Sequence, residues 1–272
     1  MGQLKILVVG ANGFIGSNLM RYLDCNKFRI TPIYSSNNID FTNVDVVNST
    51  LNKIKPDVVI NCLSYSVRHA SNESDEVGKN LSMFYSFYKN QNLFKQYINI
   101  GSGAEFDKST NINNVLEIEI THKLPKDSYG YAKNIIARSI QSSNDKFVNL
   151  RIFGCFGNNE LETRLLKRYV STTDQVFYLN DDRYFDYISV QDYVKIVEYV
   201  IENRITKLDC NCVYENKLLL SEFLSLFSTL KMIKTKIIVQ STSEYNYTAN
   251  STILNSLNLR LLGLENGLKK YL

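Results

Sequence analysis

The sequence predicts an α/β fold: a doubly wound parallel sheet followed by a smaller C-terminal α/β lobe. Three observations carry this. Short, mostly apolar runs recur at residues 4–9, 28–34, 57–62, 97–100 and 147–152. Strands of that kind are buried on both faces, as in a parallel sheet. Stretches with helical spacing lie between them, at residues 14–23, 44–54, 74–92 and 128–142. The alternation builds βαβ units with right-handed crossovers. Third, Gly10-Ala11-Asn12-Gly13-Phe14-Ile15-Gly16 joins the first run to the first helix.

Taken in order, Ile6-Leu7-Val8-Val9 is the first strand, and the glycine motif follows it at once. One glycine makes a tight turn, one lets backbone approach a pyrophosphate, and one lets the helix pack closely on the strand. The helix N-terminus offers free N–H groups to phosphates. Gly10, Asn12, Gly13, Phe14, Ile15 and Gly16 are therefore dinucleotide-binding candidates. The second strand ends in Tyr34-Ser35-Ser36-Asn37, without the carboxylate that usually holds a ribose 2′-OH. Ser35 and Ser36 suit a 2′-phosphate, which tilts the expected cofactor from NAD(H) toward NADP(H). Asp40 is a candidate for the adenine amino group, or alternatively part of the helix start ahead of Val44.

Further on, Tyr129-Gly130-Tyr131-Ala132-Lys133 opens a helix and places Tyr129 and Lys133 at i and i+4, on one face. A phenol is a weak base at neutral pH, and an adjacent ammonium favours its ionised form, so such a pair can hand a proton to or from a substrate oxygen. Beyond residue 158 helices continue at 161–170, 190–202 and 219–230, but the strands between them are shorter. The expected division is a dinucleotide-binding Rossmann domain at 1–158 that carries the catalytic residues. A substrate-binding lobe at 159–272 follows, which does not fold alone.

Composition narrows the function. Among 272 residues, 31 basic and 27 acidic side chains give a net charge of +4, with no basic run to mark a nucleic-acid groove. Five cysteines without a CxxC pair, and two histidines, His69 and His122, assemble no local zinc site. No apolar stretch approaches the roughly 18–20 residues that span a bilayer, and the start lacks a signal-peptide pattern. The expectation is a metal-free, cytoplasmic protein with reduced cysteines.

These motifs together resemble an extended short-chain dehydrogenase/reductase of the nucleotide-sugar epimerase/dehydratase/reductase group. The matching pieces are the glycine motif, Lys55-Pro56-Asp57-Val58-Val59-Ile60-Asn61, Ile100-Gly101-Ser102-Gly103, residues 125–133, Leu150-Arg151-Ile152-Phe153-Gly154 and Phe185-Asp186-Tyr187-Ile188. The resemblance implies a Ser102–Tyr129–Lys133 catalytic set, with Lys133 and Tyr129 also on the cofactor. It implies that the backbone of Cys62, Leu63 and Ser64 lies along the cofactor and that Phe153 lies near the nicotinamide. Ser102, Gly103 and Ala104 would meet the sugar. Arg183 is the candidate for the diphosphate of a sugar nucleotide, although the more usual position, 185, is Phe. Homodimerisation through a helix pair is usual in such proteins, and residues 74–92 and 128–142 are the candidates.

Within that group the reaction is read from what is missing. A dehydratase typically carries an Asp-Glu pair after the catalytic hydroxyl residue, where this chain has Gly103 and Ala104; Glu105 is one step out of register. A 3,5-epimerase/reductase needs a cysteine at the position of Ala104 and a well-placed histidine. Two hydride-only reactions remain. One is NAD(P)H-dependent reduction of the C4 keto group of a nucleotide-linked 4-keto-6-deoxy sugar, in deoxysugar and lipopolysaccharide-type polysaccharide synthesis, as in reductases of the dTDP-rhamnose and paratose type. The other is C4 epimerisation with tightly bound NAD. The reductase is favoured, and retention of the fold as a non-catalytic binding protein is the remaining option.

Overall fold

The computed structural model describes residues 3–65, 73–143, 146–172 and 175–271. His69 lies outside the described residues. The first half of the chain runs β1 (Leu4–Val9), α1 (Phe14–Tyr22), β2 (Phe28–Ile33), α2 (Val44–Ile54), β3 (Val58–Asn61), α3 (Glu73–Lys89), β4 (Gln96–Ser102), β5 (Ile112–Val115), α4 (Ser128–Gln141) and β6 (Phe147–Ile152). The second half continues with β7 (Gly154–Phe156), α5 (Leu165–Val170), β8 (Val176–Leu179), β9 (Tyr187–Ser189), α6 (Val190–Glu202) and β10 (Asp209–Asn211). It closes with α7 (Leu220–Lys231), β11 (Lys236–Val239), β12 (Tyr247–Ala249), α8 (Thr252–Ser256) and α9 (Leu264–Lys269).

Six strands form one sheet in the order β10-β6-β4-β3-β1-β2, parallel at every pairing. The strands carry apolar residues on both faces because both faces are covered. Ile6, Val8, Ile60 and Val148 point to one face and pack with Leu19 of α1 and Tyr193 and Val197 of α6. Leu7, Val9, Val59 and Tyr97 point to the other and pack with Val47 and Leu51 of α2, Phe84 and Phe87 of α3, and Ile136 of α4. Each such side chain, fully buried, contributes roughly 1.5–3 kcal/mol. Helices α3 and α4 lie side by side, with Tyr85 and Ser139 hydroxyls 2.9 Å apart.

From β1 the chain moves outward to β2 and then returns to the opposite side of β1 as β3. The loops after β1 and β3 therefore part at the carboxyl edge of the sheet, where open α/β sheets bind ligands. Helices α2, α4 and α6 are capped by Asn43, Asp127 and Ser189, whose side chains accept from backbone N–H groups. Helix α1, at the parting, starts on Gly13 with no side-chain cap.

Part of the chain after residue 158 returns to the sheet. Strand β10 pairs with β6, Asp209 opposite Asn149, and α6 packs on α1. Three two-stranded parallel sheets, β8–β11, β5–β12 and β7–β9, lie outside the six-stranded one, with β5 and β7 supplied from before residue 158. A cluster of Phe156, Tyr169, Phe177, Phe223, Phe227 and Tyr271 packs β7 and β8 with α5 and α7. The helix expected from residue 161 begins at Leu165, because Asn159 takes a left-handed conformation (φ 63°) and the chain turns again before Arg164. Among the described residues, all five cysteines are free, no helix is long and apolar enough to cross a membrane, and no His/Cys/Asp/Glu group is arranged to hold a metal.

Candidate active site

The glycine turn is shaped by close approach. Gly10 has φ +80°, and a Cβ there would lie 3.1 Å from the Leu63 nitrogen. A Cβ at Gly16 would lie 2.1 Å from the Gly10 carbonyl oxygen, so only glycine lets α1 rest on this turn. Gly13 is different: a Cβ there meets nothing closer than 3.5 Å, and the uncapped N–H groups of Phe14 and Ile15 follow it. This cradle fits a dinucleotide pyrophosphate: backbone donors without side chains in front of them, at a helix N-terminus. Asn12 does not face outward alone. Its Nδ2 donates to Ser35 Oγ at 2.7 Å and its Oδ1 accepts from Ser35 N at 3.2 Å, which locks the two loops together. Ser36 is exposed beside them.

Next to the cradle is a cleft of about 180 Å³ between Gly10, Ser35, Ile39, Phe41, Leu63 and Tyr65. Its apolar walls and polar mouth suit a flat base and its ribose. Asp40 is flanked by two lining residues but is itself exposed, and one of its oxygens accepts from both Thr42 N and Thr42 Oγ1, at 2.9 and 2.6 Å. The cap of α2 is Asn43, not Asp40. The loop after β3 is held by Asn80, which accepts from Tyr65 N at 3.1 Å, donates to Tyr65 O at 2.9 Å and meets Ser64 Oγ at 3.4 Å. Leu63 N donates to Asn61 Oδ1 at 3.1 Å. Burial pushes the Cys62 thiol up to about 12, so it is neutral and unreactive at working pH.

Ser102 is the last residue of β4, and its Oγ accepts from Ala104 N at 3.2 Å. Tyr129 occupies the second position of α4, half-buried. Lys133, one turn later and 5% exposed, places Nζ 5.9 Å from the Tyr129 ring centroid and donates to the Ile100 carbonyl at 2.9 Å. That bond ties the helix to the strand end two residues before Ser102. Gly130 completes the junction, since a Cβ there would lie 2.5 Å from the Ala104 carbonyl. The structure thus brings Ser102, Tyr129 and Lys133 to one place at the sheet edge. Gly103 and Ala104 are buried beside them, and the ring of Phe153 covers Gly103.

Glu105 lies behind Ser102, fully buried in the core. Its Oε1 accepts from Ser102 N at 2.8 Å and its Oε2 meets Arg151 Nε at 2.5 Å, both side chains fully buried. Burial pushes the Glu105 carboxyl above its usual range and the Arg151 charge opposes that. Arg151 reaches on to Asp209 at 2.9 Å and Asn211 at 2.8 Å. Arg183 is ion-paired with Asp181, while Phe185, in the position more usual for the arginine, packs 4.9 Å from Tyr247. Sequence reasoning missed Asn80, the Ile39 and Phe41 walls, and Tyr247, which comes from the last quarter of the chain to place its hydroxyl against Gly103. The apolar residues around Asp40 were a usable signal for the walls; nothing in the local sequence marks Tyr247.

A backbone cradle at the switch point of a parallel sheet, next to a tyrosine and lysine one helical turn apart, defines the class: an oxidoreductase that works with a nicotinamide dinucleotide. The family is more specific. The chain belongs to the NAD dependent epimerase/dehydratase family, whose model matches residues 6–211. No curated protein sequence matches it. Among solved structures, it resembles a dTDP-4-dehydrorhamnose reductase from Clostridium acetobutylicum, 20% identical over 98% of both chains with a TM-score of 0.79. It also resembles a GDP-mannoheptose C4 reductase from Campylobacter jejuni with NADP bound, 15% identical over 99% of this chain and 97% of the other, TM-score 0.80. A dTDP-glucose 4,6-dehydratase from Bacillus anthracis in complex with NAD is similar too, 16% identical over 98% and 94%, TM-score 0.78. At these identities the likeness establishes the fold, which reductase and dehydratase share.

Proposed function

We propose that this protein reduces the C4 keto group of a nucleotide-linked 4-keto-6-deoxy sugar, with NADPH favoured over NADH. One observation carries the reading: Ser102, Tyr129 and Lys133 converge, while the two positions after Ser102, Gly103 and Ala104, hold no acid or base. Gly103 and Ala104 stand where a dehydratase carries carboxylates, and Glu105 is turned into the core onto Arg151. Such a set suits hydride transfer accompanied by a single proton from Tyr129. The preference for NADPH is supported by Ser35 and Ser36 at the end of β2, where no carboxylate would repel a 2′-phosphate.

Gly10, Gly13 and Gly16 with the start of α1 would hold the pyrophosphate, and the cleft between Ile39, Phe41 and Leu63 the adenosine end. The bound nicotinamide supplies the hydride. The chain's own residues do the rest. Ser102 holds the C4 oxygen by a hydrogen bond, Tyr129 delivers the proton to it, and Lys133 keeps a positive charge beside the phenol. Residues 159–272 form the wall against which the nucleotide sugar lies, with Arg183 a candidate for its diphosphate. Loss of NADPH absorbance on mixing with a panel of 4-keto-6-deoxy nucleotide sugars is the expected result. No consumption with any of them, together with NAD retained through purification, would replace the reductase with a 4-epimerase.

A further inference from the structure

Glu105 is tied to both halves of the catalytic set. Its Oε1 accepts from Ser102 N at 2.8 Å, and Ser102 Oγ caps the same turn by accepting from Ala104 N at 3.2 Å. Its main-chain carbonyl accepts from Asn134 Nδ2 at 2.7 Å, and Asn134 follows Lys133 on α4. Glu105 and Asn134 are both fully buried. The glycine before Ser102 belongs to this arrangement. A Cβ at Gly101 would lie 2.7 Å from Glu105 Oε1 and 2.5 Å from Asn149 Oδ1, so the end of β4 can close on the carboxylate only without a side chain there.

The contacts call for a carboxylate. Three donors converge on its two oxygens: Ser102 N on Oε1, and Arg151 Nε at 2.5 Å and Asn149 Nδ2 at 3.1 Å on Oε2. Asn149 Oδ1 is taken by Asn99 at 2.7 Å, so Nδ2 is the end that faces Glu105. An ionised carboxylate only accepts and satisfies all three, whereas an amide would set a donor against one of them. Arg151 is itself anchored on β10, by Asp209 at 2.9 Å and Asn211 at 2.8 Å. The carboxylate is therefore held from behind by charge-assisted bonds, which are shorter and stronger than neutral ones. We propose that Glu105 is a positioning residue for the reduction: anchored by Arg151 and Asn149, it fixes the Ser102 main chain, and with it the hydroxyl that holds the reacting oxygen beside Tyr129. This rests on the reductase reading above.

The test compares Glu105→Gln with Asp209→Asn in the full chain. Asp209 takes the same two partners, Arg151 at 2.9 Å and Asn149 at 3.0 Å, and has no bond to Ser102. Each variant removes one of the two carboxylates on Arg151, and both are expected to melt earlier than the wild type. With a 4-keto-6-deoxy nucleotide sugar as substrate, Glu105→Gln should lower kcat about 10-fold, the scale of one charge-assisted hydrogen bond. KM and NADPH affinity should change less than about 2-fold, and Asp209→Asn should keep kcat within about 2-fold of the wild type. An equal loss of kcat in the two variants, or no loss in Glu105→Gln, overturns the proposal. The wild type offers a readout that needs neither a variant nor turnover. In its amide NMR spectrum the Ser102 N–H is expected well downfield and slow to exchange, as a donor to a buried carboxylate. An ordinary shift with fast exchange overturns the proposal. If the wild type reduces no 4-keto sugar, the reductase reading fails by itself, and the Ser102 amide still decides whether Glu105 holds it.

Discussion

In the six-stranded sheet, neighbouring strands pair over as many as six residues, and burial alternates from one side chain to the next, Ile6 and Val8 to one face, Leu7 and Val9 to the other. Around β7, β8, β9 and β11 the strands are three or four residues long, and burial depends on rings from distant parts of the chain. Tyr187 stacks on Phe223 at 4.3 Å, and Phe156 meets both Phe223 and Tyr271. The first region is held by a local period repeated in every strand. The second is held by contacts that have no period. The two are joined, however, because α6 and β10 leave the second stretch of sequence and complete the first layer.

The largest effect is expected from the larger region. Tyr129→Phe removes the proton donor at the start of α4 and should lower turnover by roughly 10²–10⁴-fold, the usual worth of a general acid. NADPH titration by fluorescence should be unchanged; substantial remaining turnover would refute the assignment. Arg151→Leu should destabilise the fold by about 3–5 kcal/mol, since it leaves Glu105 and Asp209 facing each other without their partner. Phe223→Ala, in the aromatic cluster, should cost about 3–5 kcal/mol through lost burial and a cavity. Calorimetry on these two variants sharpens the comparison. One shifted transition in each is expected from the shared α6 and β10, whereas a separate early transition in Phe223→Ala would show that the second region melts alone.

The smallest effect is a pH dependence. Burial pushes the Glu160 carboxyl up from 4.5 to about 7, opposed by its bond from the Tyr271 hydroxyl at 3.0 Å and by the Arg164 and Lys167 charges. Between those two values the folded chain binds a proton that the unfolded chain has released. Glu160 therefore takes stability away as pH rises from about 4.5 to 7, and the loss is constant above that. Glu160→Gln cannot ionise and should gain stability over the wild type between pH 5 and pH 8, on the order of 2 kcal/mol. Melting curves at the two pH values check it; a difference that does not grow with pH would refute the burial argument.

Much of this could be read without coordinates. Residues 44–54, 147–152 and 190–202 fold as their spacing predicts, and the glycine turn follows β1 and opens α1 as the motif requires. Helical and strand periods are properties of a few neighbouring residues, so the chain carries them openly, as it carries the i, i+4 spacing of Tyr129 and Lys133. Three things needed the folded molecule. Glu105 has the chemistry of an active-site acid and becomes a turn cap paired with Arg151. Arg183 is engaged by Asp181. Tyr247 reaches Gly103 from 144 positions away, through β12 pairing with β5 and the grip of Asp186. Each depends on which strand edge lies against which, and that is settled by burying side chains from separate segments together, a choice that no single stretch of sequence makes.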